Sequence, residues 1–195
     1  MTTIHFVRHG DVFNPQKILY GRLPDYHLSA LGQQQAAAAG AYLQDRPLAA
    51  IYSSPQLRAQ ETAAAIARLH PGLAVQTTPL LDEVDSPHEG RRLADLDSEG
   101  WLLYTDLPAG YETPADIVGR VVRLIGELRA AYPGREVVAV SHGDVVLAMR
   151  FWVEGIPFSD ANKNRTSLYP ATASVTTLTF APGADRPVMT YHQPY

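Results

Sequence analysis

The 195-residue sequence contains no cysteine. That absence excludes disulfide frameworks, thiol nucleophiles and cysteine-bearing zinc or iron–sulfur sites, while leaving the redox compartment undetermined. Charge is scarce too: 18% of residues are charged, against roughly 25% in typical soluble domains. Sixteen basic and twenty acidic residues leave a formal charge of −4, so the chain lacks the positive excess that neutralises many nucleic-acid phosphates. No nucleic-acid partner is expected, and any anion site must be local. Long apolar runs are missing as well; none approaches the roughly 18 residues that cross a bilayer. Met1–His5 passes straight into a strand-like pattern without the basic and apolar regions of a signal peptide. The expectation is a cytoplasmic protein with no membrane partner.

What is present suits a packed core. Hydrophobic residues make up 46% of the chain, and its length fits a single domain over residues 1–195. Ile4–Val7 is rich in β-branched and aromatic residues and predicts a strand, followed by a loop with Gly10, Asn14, Pro15, Gly21 and Pro24. Ser29–Leu43 holds Gln and Ala runs that predict a helix. Ala49–Tyr52 predicts a second strand, and Ser54 with Pro55 has the residue types of an N-cap and first helical position, for a helix running to about Leu69. Leu73–Thr77 reads as a short strand, and the polar stretch to Gly110 as loop with a short helix.

Thr113-Pro114 repeats the cap signal, and Ile117, Val121, Leu124, Ile125 and Leu128 fall on one helical stripe. Val137–Val140 is an apolar run of strand length, Gly143 opens a helix to Val153, and Val175–Phe180 and Pro187–His192 add a strand and an edge strand. The alternation predicts an α/β fold with three layers: a mainly parallel central sheet with helices on both faces. In such sheets ligands bind outside the carboxyl ends of the strands. The polar residues just past strand runs therefore become candidates: Arg8, His9, Ser53, Ser54, Glu83, Ser141 and His142.

Two strand-end histidines each precede a glycine, in Arg8-His9-Gly10 and Ser141-His142-Gly143. Arg58 falls on the first turn of its predicted helix, where backbone N–H groups favour anions, and arginine offers a planar fork to phosphate oxygens. His5 reads as a core or edge histidine, and His27, His70, His88 and His192 as surface residues. Trp101, Tyr104 and Tyr111 read as packing or substrate-cap aromatics, and Lys163 with Arg165 as a small basic cluster facing solvent, the favoured reading, or a charged substrate.

With these motifs in place the chain resembles the histidine phosphatase superfamily, also called the phosphoglycerate-mutase-like family. The resemblance rests on Val7-Arg8-His9-Gly10, on Gly21-Arg22 through Leu28-Ser29-Ala30-Leu31-Gly32, and on the stretch from Tyr52-Ser53-Ser54-Pro55 through Arg58 to Ala63. Leu81-Asp82-Glu83 and Ser141-His142-Gly143-Asp144 complete it, in family order over about residues 4–150. It implies a phosphoglycerate-mutase-like fold with a substrate-capping loop region at residues 82–112. It also implies a metal-independent phosphatase with no cofactor, in which His9 attacks phosphorus to form a transient phosphohistidine and Arg8, Arg58 and His142 complete the phosphate pocket. Asn14, Gly21 and Gly143 match further phosphate- or substrate-binding positions, and Glu83 matches the general acid. The stretch from Glu83 to Gly90 departs from the family pattern, being about one residue short and lacking an aromatic, so Asp82, Asp85 and Glu89 stand as alternative acids.

The expected partner is a small phosphomonoester, and a homo-oligomer is possible. Three other readings share the residues: a phosphoglycerate mutase, a noncatalytic phospho-ligand-binding module, and a metallophosphatase using the histidines with Asp144. The substrate-choosing segments, Asp82–Gly110 and Phe158–Tyr169, carry no informative pattern, so sugar phosphates, nucleotides, phosphoglycerate and cobalamin-pathway intermediates all remain open.

Overall fold

A computed structural model describes residues 1–195. Six strands form one sheet: β1 (Thr2–Arg8), β2 (Leu48–Ser53), β3 (Val75–Thr77), β4 (Glu136–Ser141), β5 (Val175–Phe180) and β6 (Val188–His192). Their spatial order is β3-β2-β4-β1-β5-β6. The first four run parallel, while β5 and then β6 join antiparallel beside β1. The sheet is thus mainly parallel with an antiparallel edge, and Pro187–His192 supplies that edge as the sequence predicts.

The two-residue period of the strands splits the core into two layers. Val7, Ile51, Val138 and Val140 face α1 (Ala30–Leu43) and α2 (Leu57–Ala67), packing on Ala39, Leu43, Ala59, Ala63 and Ile66. Ile4, Phe6, Val137 and Ala139 point the other way, against the larger cluster built by α4 (Pro114–Ala131) and α5 (Gly143–Glu154). The predicted stripe of α4 is the buried one, from Ile117 to Leu128. A capping box opens that helix: the Thr113 side chain accepts from the Asp116 N–H, and the Asp116 carboxylate accepts from the Thr113 N–H. Such a cap stabilises by about 1 kcal/mol. No helix is long and apolar enough to cross a membrane.

The second cap is a correction. Ser54 does not cap α2; the N-cap position falls at Gln56, without a side-chain cap bond, and the helix begins at Leu57 and ends at Ala67. The Ser54 hydroxyl accepts from the Gln56 N–H at 3.2 Å, ahead of the helix, and from His142 at 2.7 Å at the neighbouring strand's end. His70 also differs from expectation, being buried, whereas His27 and His192 are exposed. His5 is a sheet histidine held by Thr177 and Glu136, both at 2.9 Å. In the segment after β3 a short 3-10 turn, Pro79–Leu81, leads to Glu83, and α3 (Leu93–Ser98) is the short helix the polar stretch predicts. A last short helix, α6 (Asp160–Lys163), faces that segment. Its Asp160 carboxylate accepts from the Leu103 and Tyr104 N–H groups at 3.0 and 2.9 Å and from the Thr105 hydroxyl at 2.9 Å, tying the 82–112 region to the body.

Candidate active site

Sheet register places the two histidines side by side. Arg8 pairs with Ser141 across β1 and β4, so His9 and His142 leave adjacent strands at the same level. The His9 N–H continues the ladder to the Ser141 carbonyl at 2.9 Å, and the Ser54 N–H does the same to Val140 at 2.9 Å. Their rings stand edge to face with centroids 5.2 Å apart. Gly10 then turns the chain beneath α1, where an added Cβ would strike the Gly32 carbonyl. Its N–H bonds the Thr62 hydroxyl at 3.1 Å.

The hydrogen bonds fix the histidine tautomers. His9 Nδ1 lies 2.7 Å from the Gly10 carbonyl, which can only accept, so Nδ1 carries the proton and Nε2 the lone pair. Burial, followed by the charges of Arg58 and Arg8, holds the His9 pKa well below the ordinary 6.5, so the ring is neutral near pH 7. At His142 the logic is mirrored. Nδ1 lies 3.1 Å from Nη2 of Arg58, which can only donate, so Nε2–H points to the Ser54 hydroxyl at 2.7 Å. Burial, then Arg58 and His9, keep this ring neutral too.

Arg58 is wholly buried, an unusual place for a guanidinium. Its Nη2 donates to the Gly21 carbonyl at 2.7 Å, and its face covers the Tyr20 ring at 4.7 Å. Nε and Nη1 have no partner, and neither does Nε of Arg8, whose Nη1 donates to the Pro170 carbonyl at 2.7 Å. Buried donors are nearly always satisfied, so three unpaired guanidinium N–H positions around two neutral histidines constitute a place prepared for an anion. Glu83 stands in front of them. Its Oε2 is 3.4 Å from His142 Nδ1 and 3.7 Å from Arg58 Nη2, and burial raises its pKa despite the opposing pull of Arg58. The raised value and the mutual geometry suit a carboxyl that can hold a proton.

His9, Glu83 and His142 have ligand atoms within 4.8 Å of one another, the donor types of a metal site. Arg58 already bonds one of them and abuts another, so a dication here would sit beside a fixed guanidinium; the charge suits an anion better. Asp144, a ligand in the metallophosphatase reading, lies outside this trio, its oxygens taken by Tyr104, Tyr169 and Lys163.

A cavity of about 440 Å³ opens in front of the anion place, lined in part by Arg8, His9, Gly21, Glu83 and Gly143. Arg58 and His142 form the wall behind that lining. Gly143, the first residue of α5, lies so close to Tyr169 that a side chain would strike its hydroxyl. Gly21 has φ +42° and packs against the Glu89 side chain. Asn14 lies elsewhere: its amide closes its own loop on the Ile18 carbonyl and N–H, at 2.8 and 3.2 Å, and it does not line the cavity. The alternative carboxylates are also engaged away from it. Asp82 accepts from Gln56 at 2.9 Å, Asp85 pairs with Arg22 at 3.8 Å, and Glu89 accepts from the Arg22 N–H at 2.5 Å.

Lys163 corrects the sequence reading. Its ammonium does not face solvent but pairs with Asp144 at 3.1 Å on the cavity wall, with the side chain 8% exposed. Arg165 is exposed. Trp101 and Tyr104, read as packing or substrate-cap aromatics, line the cavity; the sequence reasoning missed the link from Ser54 to His142, and Tyr169, which with Tyr104 bonds Asp144, at 2.8 and 2.6 Å. No local pattern announces these contacts.

Comparison with known proteins agrees with this geometry. The family model described as histidine phosphatase superfamily (branch 1) matches residues 4–191. An uncharacterised protein of Mycobacterium tuberculosis is 41% identical over 201 residues, covering 99% of this chain and 96% of its own. A glucosyl-3-phosphoglycerate phosphatase of Mycolicibacterium vanbaalenii is 34% identical over 171 residues, covering 77% and 73%. The solved structure of a mycobacterial glucosyl-3-phosphoglycerate phosphatase superposes with a TM-score of 0.74 at 30% identity, covering 90% of this chain and 89% of that one.

Proposed function

The chain belongs to the histidine phosphatase superfamily, a phosphoric monoester hydrolase by that membership, and from this premise we propose that it hydrolyses a small phosphomonoester through a phosphohistidine on His9. The observation that carries the reading is the lone pair of His9 Nε2, held by the Nδ1–H bond to Gly10 beside two arginines with unpaired donors.

In the first step Nε2 attacks phosphorus while the bond to the ester oxygen breaks. Glu83, whose pKa burial raises, is the group that gives a proton to the departing alkoxide. The ring becomes a phosphoimidazolium, and the Gly10 carbonyl stabilises its remaining N–H. The unpaired donors of Arg8 and Arg58 meet the peripheral oxygens as charge redistributes, the part of phosphoryl transfer in which fixed donors matter most, while neutral His142 holds Arg58 Nη2 through its Nδ1 lone pair. Glu83 Oε2, 3.7 Å from Arg58 Nη2 and 3.4 Å from His142 Nδ1, is near enough to the proposed phosphate place to serve the leaving oxygen. In the second step Glu83 takes a proton from water, the water oxygen attacks phosphorus, the P–N bond breaks and inorganic phosphate leaves. No step calls on a metal ion.

A panel of phosphomonoesters assayed with and without a chelator tests the reading. Turnover that survives chelation and is lost in His9→Ala is the expected result. Turnover abolished by chelator and restored by a divalent cation would replace this mechanism with a metal-assisted one.

A further inference from the structure

The cavity's charge is already balanced on the side away from the phosphate. Its charged lining residues are Arg8, Glu83, Asp144 and Lys163. Arg8 belongs to the phosphate place, and Lys163 is held by Asp144 at 3.1 Å with both side chains nearly buried. Asp144 accepts two further bonds from Tyr104 and Tyr169, and the Tyr104 ring also lies 5.4 Å beneath the Lys163 ammonium. A carboxylate on the leaving group would therefore face Glu83 and Asp144 with no uncommitted cation to receive it. The remaining wall is uncharged and mostly apolar, with Ile18, Leu19, Val84, Trp101 and Leu103 beside the two polar side chains of Ser86 and Asn164. Trp101 and Leu103 come from the segment that Asp160 fastens down, so this wall is preformed.

We propose that the alcohol portion of the substrate is uncharged and largely apolar, of about the bulk of one ring, and that the Lys163–Asp144 pair acts against esters carrying a carboxylate or second phosphate. The proposal rests on the phosphatase reading above. It sets this chain apart from a relative whose name designates a carboxylated substrate, and the physical ground is negative selection: a buried, unpaired carboxylate disfavours the wrong ligand more strongly than one apolar contact favours the right one.

The test compares kcat/KM for 2-phenylethyl phosphate, glycerol phosphate, 3-phosphoglycerate and phosphoserine, all alkyl esters, with p-nitrophenyl phosphate as a general phosphatase control. The phenylethyl ester should exceed both carboxylated esters by at least tenfold, with the uncharged glycerol ester between. Equal or better turnover of the carboxylated esters would overturn the proposal and leave the phosphatase reading standing. No turnover of any ester, control included, would overturn both. In Asp144→Asn, Lys163 loses its anion and becomes available, so the phenylethyl-to-phosphoglycerate ratio should fall severalfold. An unchanged ratio in that variant would overturn the role given to the pair.

Discussion

Replacing Arg58 separates function from folding. The side chain is wholly buried, donates through Nη2 to Gly21 and His142, and keeps Nε and Nη1 unpaired. Lysine can reach one of these acceptors but cannot present the second pair of parallel donors that a phosphate accepts. Losing a preorganised donor of this kind costs roughly 10²–10³ in rate, about 2.7–4 kcal/mol of transition-state binding. Arg58→Lys and Arg58→Met should therefore lose kcat/KM by similar factors. Stability should move differently: Nε and Nη1 have no partner and Glu83, the nearest carboxylate, is 3.7 Å away, so in Arg58→Met the relief of a desolvated charge offsets the lost bonds to Gly21 and His142, each about 1–3 kcal/mol. The assay is steady-state turnover of p-nitrophenyl phosphate beside urea unfolding of both variants. Near-normal activity in Arg58→Lys, or a loss of several kcal/mol in Arg58→Met, would refute the claim that this guanidinium is held for a ligand and not for the fold.

Glu83→Gln should cripple hydrolysis of alkyl phosphates while sparing p-nitrophenyl phosphate, whose leaving group needs no proton; equal loss on both would reassign Glu83 to binding. Ser54→Ala leaves the His142 Nε2–H buried without its partner, which costs about 1–3 kcal/mol, and 15N NMR of His142 should show a shifted Nε2–H signal with the tautomer retained, because Arg58 still donates to Nδ1; an unperturbed ring would contradict the Ser54 role. Acid should destabilise the protein from the ordinary histidine value of 6.5 downward, because His9 and His142 have folded pKa values well below it and only the unfolded chain takes up those protons. Each contributes a slope of up to about 1.4 kcal/mol per pH unit, with stability greater at higher pH. Glu83, whose folded pKa is raised, has the opposite sign above its ordinary 4.5. Unfolding free energies between pH 7 and 5 should thus fall less steeply in His9→Ala than in the parent, and an identical slope would mean that His9 titrates normally.

The sheet was readable because its strands carry their own signals. Val137–Val140 is apolar on both faces, as a strand between two helical layers must be, and Thr113-Pro114 marks a helix start that the capping box realises. His9 and His142 were readable for the same reason: each follows a strand end, and parallel register brings the ends together. The misses involve side chains whose partners no local pattern announces. Ser54 bonds the N–H two residues on without capping α2, and its hydroxyl also takes a ring 88 positions later. Lys163 has solvent within reach of a flexible stem, but Asp144 on the first turn of α5 draws it inward. Asn14 folds onto its own loop. Local preference and periodicity do not encode such choices, because competing partners are set only after the layers pack.

The central claim is that phosphorus passes through Nε2 of His9. Rapid quench of the enzyme during turnover of a 32P-labelled ester, followed by alkaline peptide mapping and 31P NMR, measures it directly. The account predicts an acid-labile, base-stable phosphoryl group on His9, bonded through Nε2 because Nδ1–H is held by Gly10. Turnover with no phosphohistidine formed, or with the label on another residue or on Nδ1, would contradict it.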